Sequence, residues 1–273
     1  MKTILPLFIL LAWLLASCGK PATPTPAPAS LPTATPTTQP TPIPVVILTY
    51  QEYAQVELVT PSGRHIYIDM LNPIKLTRPP EAQDLLLTTH LHADHYNRDF
   101  QKSFPGQQIF TSEGRIELPE VTITGIAASH NSDETAQADM RIINIIYIID
   151  VAGLRIAHFG DIGQEALSAD QLAALGTVDL AISQFTNDYS SMNVKNMKGF
   201  NLMDQVKPRL VIPTHADEDA IKIAVERWKG YYSESRAVTF SASSIPSERS
   251  ILILGNLAPS YGALYKLDPW KGP

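Results

Sequence analysis

The chain is predicted to form an α/β domain with two β-sheets and helices on their outer faces. The first half of this domain consists of short runs rich in β-branched and aromatic residues, and its second half alternates strand-like and helix-like segments. Strands that form meanders and then strand–helix units build layered sheets with helices packed outside. The only cysteine, Cys18, lies near the N terminus. No disulfide can therefore form within the chain, and the fold depends on its apolar core.

The predicted strands of the first half are separated by turn-forming residues. Pro61-Ser62-Gly63 predicts a hairpin turn, and Ala152-Gly153 predicts another. The run 84–89 contains three consecutive leucines, which is typical of a strand buried on both faces. The predicted strands are 45–50, 55–60, 65–70, 84–89, 108–111, 121–126, 142–150 and 154–159.

Three helices are predicted in the second half. Ser168 is a suitable N-cap for a helix over 168–175, and Gly176 is a suitable stop. A second helix is predicted over 193–206, ending before Pro208, and an amphipathic third over 218–231. The strands predicted between and after these helices are 178–183, 209–213, 237–242 and 250–254.

The first 17 residues are predicted to be a signal peptide. Lys2 provides a positive start, and residues 4–15 form an apolar run that is too short to span a bilayer as a stable helix. The segment Leu15-Ala16-Ser17-Cys18 is similar to a bacterial lipobox, in which cleavage precedes a lipid-modified cysteine. An ordinary signal peptide with a chance cysteine is the alternative. Lipidation at Cys18 predicts an extracytoplasmic, membrane-anchored lipoprotein at the cell surface or in the envelope.

Residues 18–44 are predicted to join the lipidated cysteine to one domain over 45–273. Of the 24 residues 21–44, nine are Pro and seven are Thr, a composition that favours extended polyproline II. Lys2 and Lys20 are the only charged residues before residue 45, so the domain has 19 basic and 27 acidic residues, a net charge of −8. This charge argues against nucleic acid as a partner, and it predicts membrane contact through the anchor alone.

The strongest chemical signal is the segment Thr89-His90-Leu91-His92-Ala93-Asp94-His95. It directly follows the predicted buried strand 84–89, and ligand sites in layered α/β folds lie at the carboxyl ends of strands. His90 and His92 project from the same side of an extended segment, where two imidazoles can bind one ion. Asp94 and His95 can face a second ion as the chain turns. A chance histidine cluster on a solvated loop is the alternative, but three of the seven histidines fall within six positions.

Four separated motifs resemble those of the metallo-β-lactamase superfamily. His90-x-His92-x-Asp94-His95 resembles its signature, and Ala128-Ser129-His130 resembles the segment with its third histidine. Residues 155–161 resemble its strand that ends in Gly-Asp, and residues 211–215 resemble its last strand and final histidine ligand. The resemblance covers residues 45–240 and implies a four-layered αββα sandwich.

The resemblance also implies a site for two metal ions. It assigns His90, His92 and His130 to the first ion and Asp94, His95 and His215 to the second, with Asp161 between them. Nitrogen and oxygen ligands suit two divalent ions, first Zn²⁺, with Mn²⁺ or iron as alternatives. Such ions lower the pKa of a bound water to about 7, so it can attack a carbonyl carbon or a phosphorus atom as hydroxide. Asp94 is predicted to orient this nucleophile while it binds metal.

Several other residues near these motifs have open assignments. Asp69 is predicted to support a ligand histidine, and a turn residue at a strand end is the alternative. His158 is predicted to be a packed or supporting residue rather than a ligand, and His65 to be exposed. Residues 184–196 are rich in Asn, Ser and aromatic side chains and receive no role. Trp228 is predicted to pack the last helix.

The chain most resembles a branch of the superfamily that includes ascorbate-6-phosphate lactonases and N-acyl phosphatidylethanolamine phospholipase D. This resemblance lies in the His130-to-Asp161 spacing, in the short hairpin strand over 142–150 and in the stretch over 153–161. It implies hydrolysis of an ester, lactone or phosphodiester in a small-molecule or lipid-derived substrate. The alternative is a non-catalytic binding lipoprotein that retains the fold.

Overall fold

The computed structural model describes residues 42–131, 143–255 and 258–273. The predicted signal peptide, Cys18 and the linker up to residue 41 lie outside these described residues. Ile142, the first residue of one predicted strand, also lies outside them. Within the described ranges, no helix is long and apolar enough to cross a membrane.

Two sheets and five α-helices make up the described part of the chain. The strands are β1 (Val46–Glu52), β2 (Gln55–Val59), β3 (His65–Ile68), β4 (Leu85–Thr88), β5 (Gln107–Phe110), β6 (Gly114–Leu118), β7 (Val121–Ser129), β8 (Ile143–Val151), β9 (Leu154–His158), β10 (Leu180–Gln184), β11 (Leu210–Thr214), β12 (Lys229–Ser233), β13 (Ala237–Phe240), β14 (Ser250–Leu254) and β15 (Asp268–Pro269). The helices are α1 (Arg98–Ser103), α2 (Ala169–Leu175), α3 (Lys198–Val206), α4 (Glu218–Arg227) and α5 (Ala258–Tyr265).

The first sheet has six strands in the order β13-β1-β2-β3-β4-β5, and the second has nine in the order β15-β12-β14-β11-β10-β9-β8-β7-β6. Strands β3, β4 and β5 are parallel, as are β9, β10, β11 and β14. Strand β7 also runs in the direction of β9, because both pair antiparallel with β8. The carboxyl ends of β4, β7, β9 and β11 are the ends that precede the metal-ligand motifs.

Successive apolar side chains along a strand point to opposite faces of its sheet, and one of these faces forms the core between the sheets. Tyr147 and Ile149 of β8 face the core shared with the first sheet, whereas Ile146 and Ile148 face the helices. The central strands are buried on both faces, so nearly every position along them is apolar. This pattern is the reason that they were recognisable in the sequence.

Helices cover the outer faces of both sheets. Phe200 and Met203 of α3 and Ala224 of α4 pack on the outer face of the second sheet. Phe104, at the end of α1, packs against Tyr67 and Leu86 on the outer face of the first sheet. The resulting layers are helix, sheet, sheet and helix, so the predicted αββα architecture is confirmed.

Two predicted helices have wrong boundaries. The helix predicted over 218–231 ends at Arg227, and residues 229–233 instead form β12, which pairs with β14 and β15. Two adjacent tyrosines favour a strand there, and Gly230 disfavours continuation of the helix. The helix predicted from residue 193 begins at Lys198, because Asn193 Oδ1 accepts the backbone N–H groups of Lys195 and Asn196 in a turn. Helices α1 and α5 and strands β6 and β15 were not predicted, and neither was β12.

Asp84 lies directly before β4, away from the metal-ligand motifs, and its hydrogen bonds fix the start of this strand. This buried carboxylate accepts two hydrogen bonds from Arg78, at 2.7 and 2.8 Å, and bonds from the backbone N–H groups of His65 and Glu81. Burial alone would raise the pKa of Asp84, but these hydrogen bonds outweigh it and hold the pKa below 3.8. The role of Asp84 is therefore structural.

Asp84→Asn is expected to lower the free energy of unfolding at pH 7 by roughly 3 kcal/mol, because it removes the buried charge that pairs with Arg78 and leaves only the exposed Glu81 carboxylate near that guanidinium, at 3.6 Å. A lowered folded-state pKa stabilises the fold above the unfolded-state value and loses that effect as the pH falls through the folded-state value. Urea unfolding should therefore show that the difference in free energy of unfolding between the wild type and Asp84→Asn narrows below about pH 4. A difference that stays constant down to acidic pH would contradict this account of Asp84.

Candidate metal centre

Seven His and Asp side chains meet where four strands end. His90, His92, Asp94 and His95 lie in the loop after β4, and His130 follows β7 directly. Asp161 follows β9, and His215 is the residue after β11, with φ 32°. The carboxyl ends of strands from both sheets thus converge on one place, as expected for a ligand site in a layered α/β fold.

The seven residues form two adjoining groups. His90, His92 and His130 make up the first, and Asp94, His95, Asp161 and His215 make up the second. In each group, one potential ligand atom of every member lies within 4.8 Å of the others. Both groups could hold a metal ion.

Asp161 lies between the groups. Its Oδ2 atom is 3.9 Å from His90 Nε2 and 3.8 Å from His130 Nε2, both in the first group. In the second group, Oδ2 is 3.2 Å from His95 Nε2, and Oδ1 is 3.5 Å from His215 Nε2. One carboxylate therefore faces four imidazoles, which is the position of a ligand that two ions would share.

The donor atoms fit a metal. Five potential donor atoms are buried and have no hydrogen-bond partner among the described residues. They are Asp161 Oδ1 and the Nε2 atoms of His90, His95, His130 and His215. Buried polar atoms without partners are costly, and a cation would satisfy all of them at once. A set of imidazoles and carboxylates without thiolates suits zinc and also manganese or iron.

Hydrogen bonds on the far side of two rings leave Nε2 free to bind metal. His95 Nδ1 lies 2.8 Å from Asp69 Oδ2, so its proton is donated to that carboxylate. His90 Nδ1 lies 3.0 Å from Thr89 Oγ1, whose own proton goes to Asp69. A histidine with its proton on Nδ1 presents a lone pair on Nε2, the form that coordinates a metal.

The electrostatics of the centre call for positive charge. Asp69 and Asp161 are both essentially unexposed. Burial opposes charging of His95, but Asp69 and Asp161 raise the pKa of His95 to about 10. Burial, followed by His95, lowers the pKa of His90 well below its usual value and keeps that ring neutral. Neutral imidazoles are ready ligands. On His95, which lies between the two carboxylates, a bound cation could take the place of the second ring proton.

A tight turn and two asparagines hold Asp161 in place. Gly160 has φ +54°, and a Cβ there would meet the Asn144 and Thr89 side chains. Asn144 accepts the Asp161 N–H at 2.9 Å and donates to the Phe159 carbonyl at 2.8 Å. Asn187 donates to Asp161 Oδ2 at 2.6 Å. Neither asparagine belongs to a recognisable sequence motif, because each contacts residues near Asp161 that are distant from it in sequence.

The centre opens into a pocket of about 570 Å³. Among the described residues it is lined by Tyr53, Leu71, His92, Ala93, Asp94 and Tyr189. Tyr189 belongs to the segment 184–196, which received no role from the sequence. Tyr53 lies in the turn after β1 and Leu71 in the segment after β3, outside all four motifs, so no local pattern indicated them.

The remaining histidines and Trp228 lie outside the ligand groups. His158 Nε2 donates to the Ala54 carbonyl, and its Nδ1 accepts the Gly160 N–H, so the prediction of a packed residue is confirmed. The prediction that His65 is exposed is wrong, because its ring is buried in β3 and contacts the buried Glu57 carboxylate. Trp228 packs against Phe185 and Phe200, as predicted.

The family of the chain follows from comparison with known domains. The model of the β-lactamase superfamily domain matches residues 47–215, a range that contains all seven potential ligands. The chain belongs to this family. No curated protein matches the chain.

Solved structures agree with this fold. One neighbour, from Thermotoga maritima, is described as a zinc-dependent hydrolase of the metallo-β-lactamase superfamily. It is 17% identical, with a TM-score of 0.56, over 77% of this chain and 98% of the other. The metallo-β-lactamase fold protein YhfI from Bacillus subtilis is 12% identical, with a TM-score of 0.50, over 78% and 98% of the two chains. At these identities, the similarity concerns the fold alone.

Proposed function

We propose that this protein is a metal-dependent hydrolase that binds two divalent ions, preferably zinc, and cleaves an ester, lactone or phosphodiester. The observation that carries the proposal is the meeting of two ligand groups at Asp161, with four buried imidazole nitrogens that lack partners. The alternative, a non-catalytic lipoprotein, would be expected to lack one or more of these groups, and all seven are in place.

The ligand assignment follows the two groups. His90, His92 and His130 would hold one ion, Asp94, His95 and His215 would hold the other, and Asp161 would bind both. Bound ions would supply Lewis acidity and a water of lowered pKa. Asp94 is the one carboxylate of the set that lines the pocket, with its side chain 34% exposed. It can orient the attacking water and accept a proton at its carboxylate oxygen.

The experiment that tests this proposal is an assay of the purified protein against esters, lactones and phosphodiesters. We expect hydrolysis that a chelator removes and added Zn²⁺ or Mn²⁺ restores. His130→Ala, which removes one ligand of the first group, serves as the inactive control. Absence of hydrolysis in a protein that also takes up no metal would favour the non-catalytic alternative.

Asp69 is proposed to position His95 rather than to bind metal. It accepts hydrogen bonds from Thr89 N, Thr89 Oγ1 and His95 Nδ1, at 2.8, 2.7 and 2.8 Å. Asp69→Asn is expected to weaken zinc binding by about ten- to a hundredfold, because His95 loses the acceptor that fixes its ring. Competition with a chromophoric chelator measures this affinity. The matched control is Asp99→Asn on the exposed side of α1, and an equal loss in both variants would exclude a specific role for Asp69.

The place of action is proposed to be outside the cytoplasm, at a membrane. This proposal depends on the lipobox-like segment that ends at Cys18 and on the Pro/Thr-rich linker after it. Cys18→Ala is expected to move the protein from the membrane fraction to the soluble fraction of the host cell. Immunoblotting of the two fractions checks this, and a variant that stays with the membrane would contradict lipid anchoring at Cys18.

A further inference from the structure

Two exposed tyrosines border the metal centre. Tyr53 lies at the β1–β2 hairpin and is 50% exposed, and Tyr189 is 75% exposed. The Tyr53 ring centroid is 5.8 Å from that of His215, and the Tyr189 ring centroid is 6.1 Å from that of His92. Each tyrosine thus adjoins a histidine of a different ligand group, and both line the same pocket.

The hairpin that carries Tyr53 is fixed from beneath. Tyr53 has a left-handed backbone with φ 46°, and its neighbour Ala54 accepts a 2.9 Å hydrogen bond from the buried His158. The side chain of Gln55 accepts the backbone N–H groups of Leu71 and Asn72, at 3.1 and 2.7 Å. These bonds tie the hairpin to the segment that provides Leu71, a second wall of the pocket.

The loop that carries Tyr189 is tied to the metal centre. Asn187 Oδ1 accepts the Tyr189 N–H at 2.9 Å, and the Asn187 amide donates to Asp161. The hydroxyl of the next residue, Ser190, donates to the Asp161 carbonyl at 3.0 Å. The two aromatic rings therefore remain exposed on well-anchored backbone, so little ordering would be required when they contact a ligand.

The described lining of the pocket offers no Lys or Arg to an anionic group. Its only carboxylate is Asp94, and the other described lining residues are aromatic, aliphatic or histidine. Recognition of phosphate or carboxylate groups usually depends on Arg or Lys side chains. Aromatic and aliphatic walls instead favour contact with flat, apolar groups.

We propose that this pocket selects substrates with an uncharged aromatic or similarly flat apolar group beside the bond to be cleaved. Tyr53 and Tyr189 are the specificity-determining residues, and Leu71 completes the apolar surface. The inference rests on the proposed function and narrows it: an aryl-substituted neutral ester or lactone fits the site better than a phosphate-bearing substrate.

Hydroxamic acids test this preference by binding, without requiring turnover. The hydroxamate group chelates metal ions, so the substituent alone differs between acetohydroxamic acid, phenylacetohydroxamic acid and succinic monohydroxamic acid, which carries a carboxylate. Calorimetric titration of the zinc-loaded protein should show the phenyl compound binding about ten- to a hundredfold more tightly than the methyl compound, from burial of the ring. The carboxylate compound should bind no more tightly than the methyl compound.

Variants separate the tyrosines from the metal ions. In Tyr53→Ala and Tyr189→Ala, the advantage of the phenyl compound should shrink severalfold, with metal content and the affinity for acetohydroxamic acid unchanged. Tyr53→Phe and Tyr189→Phe should retain the advantage, because they keep the rings. Leu264→Ala removes an apolar side chain that is 61% exposed on α5, outside the pocket lining, and should change nothing.

The outcomes distinguish this inference from the function beneath it. Equal binding of the phenyl and methyl compounds, or tightest binding of the carboxylate compound, would overturn the inference while the metal-dependent hydrolase stands. A phenyl preference that survives both alanine substitutions would overturn the role of the tyrosines. A protein that takes up no metal and binds no hydroxamate would overturn both proposals.

Discussion

Asp161→Asn is expected to abolish hydrolysis, with a rate loss of about a thousandfold or more, because several kcal/mol of transition-state stabilisation depend on the bound ions. The substitution keeps the size of the side chain but removes the charge that faces four imidazoles. The Oδ atoms of Asp161 lie between the two ligand groups, so both ions should bind more weakly to the variant. Parallel measurement of turnover and of metal content checks the effect.

The matched control for this change is Asp188→Asn. Asp188 is an exposed carboxylate next to Asn187, the residue that donates to Asp161. Its neutralisation removes the same charge from the same region without touching the histidines, so activity and metal content should stay at the wild-type level. Equal losses in the two variants would show that net charge near the site, rather than coordination by Asp161, explains the effect.

Gly160→Ala is expected to lower the free energy of unfolding by about 2–5 kcal/mol, although it adds a single methyl group. The backbone there has φ +54°, which costs a residue with a side chain about 1–2 kcal/mol. The added methyl group would also meet Asn144 and Thr89, and crowding in a packed site costs about 1–3 kcal/mol more. Urea unfolding should show the combined loss, and displacement of Asp161 should lower the metal content as well.

Gly63→Ala separates the backbone effect from the crowding. Gly63 has φ +84° in the β2–β3 turn, and nothing lies within 4 Å of a Cβ placed there. This variant should lose only the cost of the left-handed backbone and should keep its metal. If the two variants lose the same stability and both retain metal, then the Gly160 turn does not position the centre.

The layers of the fold could be predicted because both sheets are buried on two faces. Strands such as β4 and β8 are almost continuously apolar, and such runs stand out against the turns between them. Boundaries were harder where local signals competed. The Asn193 side chain accepts the backbone N–H groups of Lys195 and Asn196, so α3 begins only at Lys198. Residues 229–231 continue the amphipathic pattern of α4 but form part of β12, because β14 offers a strand edge.

Much of the candidate site could also be predicted, because its ligand types are rare and their spacing is distinctive. His90, His92 and His95 fall in one short loop, and the resemblance of three further motifs to those of the superfamily indicated His130, Asp161 and His215. Asp69 was predicted as a support for a ligand histidine, but other residues around the ligands could not be predicted in this way. Asn144, Asn187 and Tyr53 contact the centre from three distant parts of the chain, and each is a common residue in an ordinary local context.

The metal content of the purified protein, measured by elemental analysis beside His130→Ala and His215→Ala, tests the central claim most directly. The account predicts about two divalent ions per chain in the wild type and a clear fall in each variant, since the variants remove ligands from different groups. A wild-type protein that contains no metal, and takes up none when Zn²⁺ or Mn²⁺ is supplied, would contradict the account.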